Sequence, residues 1–391
     1  MPRQAVIVDA VRTPVGRGRQ GGGLSGIHPA DLLATVLRAL VKRSDLDPGT
    51  VDDVIIGCVG QAGEQSGGVG RMAWLAAGYP EHVPATTIDR KCGSSQQAVH
   101  FAAQGIMAGA YDIAIAGGVE SMSRVPMGTA RMGQDAAGPA VNHRYAPGLI
   151  GQGVSAELVA ARWGLSRDDM DRYAARSHHR AAAAAPQFAS EIVPVDTGSH
   201  RLDADETIRA DTTTDRLASL RPAFTDPALH DRYPAITWSV TAGNSSQISD
   251  GASALLLMAE DTAIRLGLRP RARFAGFDVV GDDPLLMLTA PIPATRRVLQ
   301  KSGIALDAIG HFEVNEAFAS VPLAWLKEFP VDEARLNPCG GAIARGHPLG
   351  ASGARLMTTM LNAMERSGTR YGLQTMCEAG GMANATILER L

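Results

Sequence analysis

The chain has 391 residues, 45% of them apolar and 20% charged, with a net charge of −3. These values fit a soluble globular protein long enough for two cores, and they exclude a disordered chain and a basic nucleic-acid binder. No apolar run approaches the roughly 20 residues that a membrane-spanning helix needs.

The opening residues, MPRQAVIVDAVRTPVG, read as a strand and a loop rather than a signal peptide. Residues 4–11 are a short continuous apolar run, the pattern of a strand buried on both faces. The Gly-rich stretch 12–26 carries Arg12, Arg17 and Arg19, which could reach a phosphate, but it reads for the most part as an exposed arginine loop. Residues 29–43 have helical spacing through Leu32, Leu33, Val36, Leu37, Leu40 and Val41. A second buried strand, 53–59, carries Cys58 as a core residue, and 69–78 is helical. The β-branched run 84–88 then leads through the turn DRKCGSS into an Ala- and Gln-rich helix, and a strand returns at 112–118. Strands alternating with helices predict a parallel sheet covered by helices.

Cys92 therefore lies where a strand hands over to a helix. The free N–H groups and positive dipole end of that helix favour an anion, so a cysteine there is expected to be more acidic than a free thiol. Gly93 allows another group to approach closely, and Ser94 or Ser95 can cap. A small buried structural cysteine fits the same segment.

From Ser121 to about residue 233 the alternation stops. Met122, Met127 and Met132, polar turns, a long helical region near 155–185 and the charged stretch 201–221 read as an insertion over the sheet. The pattern resumes with TAGNSSQISD, the strand GASALLLMAE and a helix from Thr262. From Arg271 it starts again: strand 272–280, helix 292–303, strand 311–314 ending in NEAFA, and RLNPCGG as a second strand-to-turn unit. Helix 351–365, strand 371–376, CEAGG and the closing strand GMANATILER complete it. The order of elements thus appears twice, as an internal duplication. The expected division is 1–120 plus 246–270 for one half, 121–245 for an inserted loop domain and 271–391 for the other half. Two such sheets around shared helices would bring their strand ends to one crevice, where open α/β sheets bind ligands.

Cys92, Asn315 and Cys377 fall at equivalent strand ends, and the Gly-rich segment 340–353 holds one histidine, His347, stiffened by Pro348. A rigidly held imidazole near such a cysteine suits removal of a thiol proton. Read singly, His347 also fits a buried structural histidine. The four cysteines, Cys58, Cys92, Cys339 and Cys377, show neither metal-type close pairs nor a disulfide framework, which points to a reducing cytoplasm.

Four segments in this order, KCGSSQQA, NEAFAS, GGAIARGHPLGASGAR and MCEAGG, resemble the thiolase family across essentially the whole chain. The resemblance implies an α/β protein with the duplicated five-layered α/β/α/β/α thiolase fold and acyl exchange between a 3-ketoacyl-CoA and CoA. By motif, Cys92 corresponds to the acyl-carrying nucleophile, His347 to its base and to an oxyanion-hole donor, Cys377 to the second acid/base, and Asn315 to the residue positioning a water. The backbone N–H groups of Cys92 and Ala379 would form a second oxyanion site. Ser246, Phe318, Arg209 and Phe224 correspond to CoA-binding positions. CoA is a co-substrate; the family needs neither a permanently bound cofactor nor a metal, and its members are homodimers or homotetramers. Acyl-CoA and CoA are thus the expected partners, with no nucleic acid and no membrane.

Three departures stand out. Ala379 replaces a common Gly, Arg345 stands where an apolar residue is usual and is expected to face solvent or a partner subunit, and Cys339 stands where Asn is frequent and reads as structural. Gly151-Gln152 replaces the His-Met pair of short-chain biosynthetic relatives, which favours a degradative 3-ketoacyl-CoA thiolase over an acetoacetyl-CoA synthesiser. The intact Cys92, His347, Asn315 and Cys377 argue against a lipid-binding scaffold without turnover, and Cys377 against a ketosynthase with a Cys-His-His set.

Overall fold

A computed structural model describes residues 3–391. The first half contains strands β1 (Ala5–Arg12), β2 (Gly16–Arg17), β3 (Asp53–Gly57), β4 (Ala85–Ile88) and β5 (Ile113–Ser121). Its helices are α1 (Pro29–Arg43), α2 (Val69–Ala76) and α3 (Ser94–Met107). The intervening region holds α4 (Gly138–Arg144), α5 (Gln152–Arg162), α6 (Arg167–Ala184), the two-residue strands β6 (Val195–Asp196) and β7 (Arg201–Leu202), and α7 (Thr214–Ala218). Then follow β8 (Ser249–Ala259), α8 (Glu260–Arg265), β9 (Ala272–Gly281), α9 (Pro291–Ser302), β10 (Ile309–Val314) and α10 (Ser320–Glu328). The short α11 (Ala342–Arg345), α12 (Leu349–Ser367), β11 (Tyr371–Glu378) and β12 (Met382–Arg390) close the chain.

Local chemistry explains the element boundaries. Helix α1 starts at His28, whose ring accepts from the Ala30 N–H, with Pro29 in the first turn, and it ends on Lys42 and Arg43 against the negative dipole end. Helix α6 opens with a capping box between Ser166 and Asp169. The helical region expected near 155–185 is therefore two helices, α5 and α6, separated by a turn at Gly164, which has φ +60°.

The strand order is β10-β11-β12-β9-β1-β8-β5-β3-β4. The sheet is mixed, not parallel as the alternation suggested. β3 pairs in parallel with β4 and β5, and β10 with β11, while β8 is antiparallel to both β1 and β5, and β12 to both β9 and β11. The last strand of each half returns as an antiparallel neighbour of the strand before it in the sheet, which a pattern of buried apolar runs does not reveal. The duplication is plain in the pairing: β1, β8, β5 and β3 have the same relations as β9, β12, β11 and β10. The counterpart of β4 has shrunk to one bridge between Phe312 and Leu336, so RLNPCGG is a turn with almost no strand.

Among the described residues the half-sheets pair edge to edge at Val6↔Arg273 and Ile7↔Ala272. Buried apolar side chains form three main layers of core: one under α1 and α2, one between the half-sheets around α3 and α12, and one under α9 and α10. Five layers of secondary structure result.

The arginine loop is not exposed where it begins. Arg12 is fully buried; its Nε donates to Glu191 Oε1 at 2.7 Å and its Nη1 to Asp205 Oδ1 at 2.6 Å. Arg345, expected at the surface or at a partner, joins the same cluster: Nη2 donates to Glu191 Oε1 at 3.1 Å and Nε to Asp205 Oδ2 at 3.3 Å. All four side chains have no exposed surface, and the Phe188 ring lies 3.9 Å from the Arg345 guanidinium carbon. The cluster ties the first half, the intervening region and the last half together. Burial pushes the Asp205 carboxyl up, but Arg12 and Arg345 overcome it and hold it at about 2.

Breaking one partner leaves buried charge uncompensated. Glu191→Ala is expected to cost about 3–5 kcal/mol in denaturant unfolding; a loss under about 1 kcal/mol would show the cluster to be dispensable. The depressed Asp205 carboxyl contributes stability above its ordinary range, and that part is expected to fade as pH falls toward about 2.

Candidate active site

Two helix starts meet in the middle layer. The Ala354 N–H donates to Ser95 Oγ at 2.9 Å, and a side chain at Gly353 would overlap the Gln96 backbone. Gly350 at the head of α12 is pressed against the backbone of Gly57, Cys58 and Val119, and its N–H donates to Glu120 Oε2 at 2.8 Å. The first turns of α3 and α12 are therefore in backbone contact. Cys92 precedes one of them and His347 precedes the other.

The turn before α3 is shaped by Lys91, at φ +51°, and by Ser94, whose hydroxyl accepts from the Arg90 N–H at 2.8 Å and donates to Lys91 O at 2.6 Å. Gly93 caps the helix without a side-chain hydrogen bond. Cys92 is 5% exposed and packs against Leu356, Met376 and Leu349, which flank the His347 and Cys377 positions.

His347 is held on three sides. Its backbone N–H donates to Gln247 O at 3.0 Å and lies 3.1 Å from Ser249 Oγ. Its Nδ1 is 2.6 Å from Ser352 Oγ, and that hydroxyl donates to Pro348 O at 2.8 Å. With its one proton so engaged, Ser352 accepts from Nδ1–H, which leaves Nε2 as the bare nitrogen of the neutral ring. Asn315 Nδ2 stands 3.4 Å from Nε2, and Asn315 Oδ1 is buried with no partner among the described residues. Burial, aided by Arg355, pushes the imidazole down to about 3, so the ring is neutral at physiological pH.

The thiol does not behave as expected for a helix start. Burial, then the charge of Glu378, pushes Cys92 up to about 12, and its own backbone N–H opposes this without prevailing. Desolvation outweighs the helix end here, so the resting sulfur carries its proton. Cys377, on β11 and fully buried, is pushed above the usual thiol range by burial and then by the neighbouring Cys92. The two neutral thiols lie close enough to feel each other's charge, and the neutral imidazole stands two residues before Leu349, which packs on Cys92; these are the residue types that can pass a thiol proton to Nε2 when a carbonyl carbon reaches the sulfur.

The four positions matched to CoA binding lie along one continuous wall. Phe224 and Phe318 pack edge to face at 5.7 Å between centroids. Ser245 bridges Phe318, and the Ser246 N–H donates to Ala317 O at 2.9 Å. Gln247 follows, its carbonyl on His347, and the exposed Arg209 donates to Gln247 Oε1 at 3.2 Å. Beside this wall is a cleft of about 560 Å³ whose lining includes Leu149, Ile150, Gly151, Val154, Phe224 and Leu229. Ser352 and Glu378 escaped the sequence reading, although both lie inside its motifs.

A duplicated α/β fold with a cysteine, a histidine and an asparagine buried where its halves meet fits an enzyme of the acyl-transferring class. The comparisons make this specific. Residues 5–261 match the model described as "Thiolase, N-terminal domain", and residues 268–390 match "Thiolase, C-terminal domain". The chain belongs to the thiolase family. It is 50% identical to the steroid 3-ketoacyl-CoA thiolase FadA6 of Mycobacterium tuberculosis, over 99% of this chain and 94% of that protein. It is 45% identical to the 3-ketoacyl-CoA thiolase FadA of Escherichia coli K12, over 99% and 100%. The crystal structure of the Bacillus anthracis acetyl-CoA acetyltransferase superposes with a TM-score of 0.88 at 35% identity, over 100% of this chain and 99% of that one.

If Ser352 selects the ring tautomer, Ser352→Ala should lower kcat about tenfold or more while leaving KM within a few fold, since general-base steps depend on the bare nitrogen. Unchanged kcat would show that Asn315 and the backbone suffice.

Proposed function

We propose that this thiolase works in the degradative direction, cleaving a 3-ketoacyl-CoA with CoA to acetyl-CoA and a shortened acyl-CoA through a thioester on Cys92. The observation that supports the thioester chemistry is the fixed orientation of His347, with Nδ1 tied to Ser352 and bare Nε2 beside Asn315. Nε2 takes the Cys92 proton as the sulfur attacks the 3-keto carbon. The oxygen charge of the tetrahedral adduct falls on the N–H groups of Cys92 and Ala379. The bond between C2 and C3 breaks, the acyl group stays on sulfur, and the acetyl-CoA enolate forms against the His347 imidazolium and a water held by Asn315. Cys377 gives its proton to the enolate carbon. Acetyl-CoA leaves and CoA enters, gives its thiol proton to the Cys377 thiolate and displaces the acyl group from Cys92, whose sulfur takes back the proton held by the His347 imidazolium. Sulfur suits both halves because it attacks well and leaves well.

CoA is held along Ser246, Phe318, Phe224 and Arg209. The arrangement of the chain is two halves, 1–120 with 246–270 and 271–391, with 121–245 as an inserted loop domain that supplies Phe224 and the cleft wall. Four free cysteines fit a reduced cytoplasmic enzyme, and a homodimer or homotetramer is the proposed assembly.

The cleft lined by Leu149, Ile150, Val154 and Leu229, with open space over Gly151 and with Thr225, Asp226 and Arg232 also on its wall, favours bulk beyond an acetoacetyl group. Relatives named as 3-ketoacyl-CoA thiolases at 45–50% identity agree. Biosynthetic acetoacetyl-CoA formation is the alternative, supported by the lesser likeness to the acetyltransferase. Steady-state thiolysis of a series of 3-ketoacyl-CoA esters separates them. The expected kcat/KM is about tenfold or more higher for long or ring-bearing esters than for acetoacetyl-CoA, given roughly 0.8 kcal/mol for each buried methylene. Turnover of acetoacetyl-CoA alone would defeat the degradative reading.

A further inference from the structure

Glu378 is the last residue of β11 and immediately follows Cys377. The residue is fully buried, and neither carboxyl oxygen has a partner in hydrogen-bond geometry among the described residues. The carboxyl packs onto the Cα of Gly93: a side chain there would collide with Glu378 Oε1 and Cδ. This accounts for the glycine after Cys92. The nearest cation, Arg90, makes no ion pair with it; its Nη1 instead lies 3.7 Å from Met382 Sδ. The groups that face the carboxyl are Asp89, Arg90 and Cys92 from the turn before α3, Cys377 on its own strand, and the Asn384 N–H of β12.

An unpaired carboxylate here would stand beside two sulfurs that must each become anionic in turn. Like charge at short range in a dry site opposes every one of those states. A neutral carboxylic acid of the same shape does not. Resting on the assignment of Cys92 as nucleophile, we propose that Glu378 is a positioning residue that acts as a neutral acid: protonated, it supports the Cys92–Gly93 turn and lets the sulfur ionise; deprotonated, it holds the thiol closed. Burial pushes this carboxyl up to about 8, against the pull of Arg90 and the Asn384 N–H, so the acid form prevails at neutral pH and is lost just above it. The established transfer then has an alkaline limit set by a carboxyl rather than by a base.

The test is the pH profile of kcat/KM for thiolysis, with the pH-dependence of Cys92 alkylation by iodoacetamide, in the full-length wild-type enzyme, Glu378→Gln and Glu378→Met. Thermal melting first confirms that the variants are folded; Met serves if Gln does not fold, since it fills the volume without an unpaired polar group. The wild type is expected to lose about tenfold in kcat/KM between about pH 7 and about pH 9, as one group titrating in that window requires. In either neutral variant that limb should vanish, and alkylation should rise more steeply with pH than in the wild type. An identical alkaline limb in wild type and a folded neutral variant would overturn the proposal, because a merely structural side chain does not move the profile. Cys92→Ser is assayed alongside. If it transfers acyl groups normally, the nucleophile assignment fails and takes the proposal with it. If it is inactive while the limb persists in Glu378→Gln, the Glu378 inference alone fails.

Discussion

The whole arrangement depends on two helices meeting start to start. Gly353 and Gln96 touch through their backbones, and the Ser95 hydroxyl caps the Ala354 N–H across the joint. Any larger residue at 353 would force the helices apart. Because each helix is the continuation of a different half, this one contact brings residues more than two hundred positions apart to the same place. It also points two positive dipole ends at one small volume, where the proposed reaction would develop oxyanion and enolate charge.

The halves cross over each other around this joint. The turn bearing Cys92 comes from the first half and rests on Glu378 of the last, and the segment bearing His347 comes from the last half and is hung from Gln247 and Ser249 at the entry to β8. The edge-to-edge seam between half-sheets, two paired residues long, is too slight to hold that geometry alone. Buried polar groups do the rest: Glu120 holds the head of α12, Glu316 gathers Tyr173, Ser177 and the Ile343 N–H, and Glu191 with Asp205 pins Arg12 and Arg345. Desolvation then determines protonation. Burial pushes Cys92, His347, Cys377 and Glu378 each toward its neutral form.

Much of this was legible in the chain. Apolar runs and helical spacing located most of the main elements, the repeat was visible as an order of elements, and four short motifs named Cys92, Asn315, His347 and Cys377. What was not legible has common causes. Strand direction in β8 and β12 depends on crossover geometry, which burial patterns do not encode. Arg12 and Arg345 looked like surface residues because their partners Glu191 and Asp205 are far along the chain, in a region of irregular pattern. The thiol acidity expected from a helix start was reversed by burial, a quantity that spacing does not report. Ser352 and Glu378 sat inside recognised motifs but looked like filler, since their partners appear only when the halves close.

The most direct measurement is the mass of the intact protein after brief exposure to a 3-ketoacyl-CoA in the absence of free CoA, followed by peptide mapping. If Cys92 carries the acyl group, the protein gains one shortened acyl group as a thioester on the peptide containing Cys92, and adding CoA removes it. An acyl adduct on Cys377 or Cys339 instead, or turnover without any adduct in wild type and with full activity in Cys92→Ser, would contradict it.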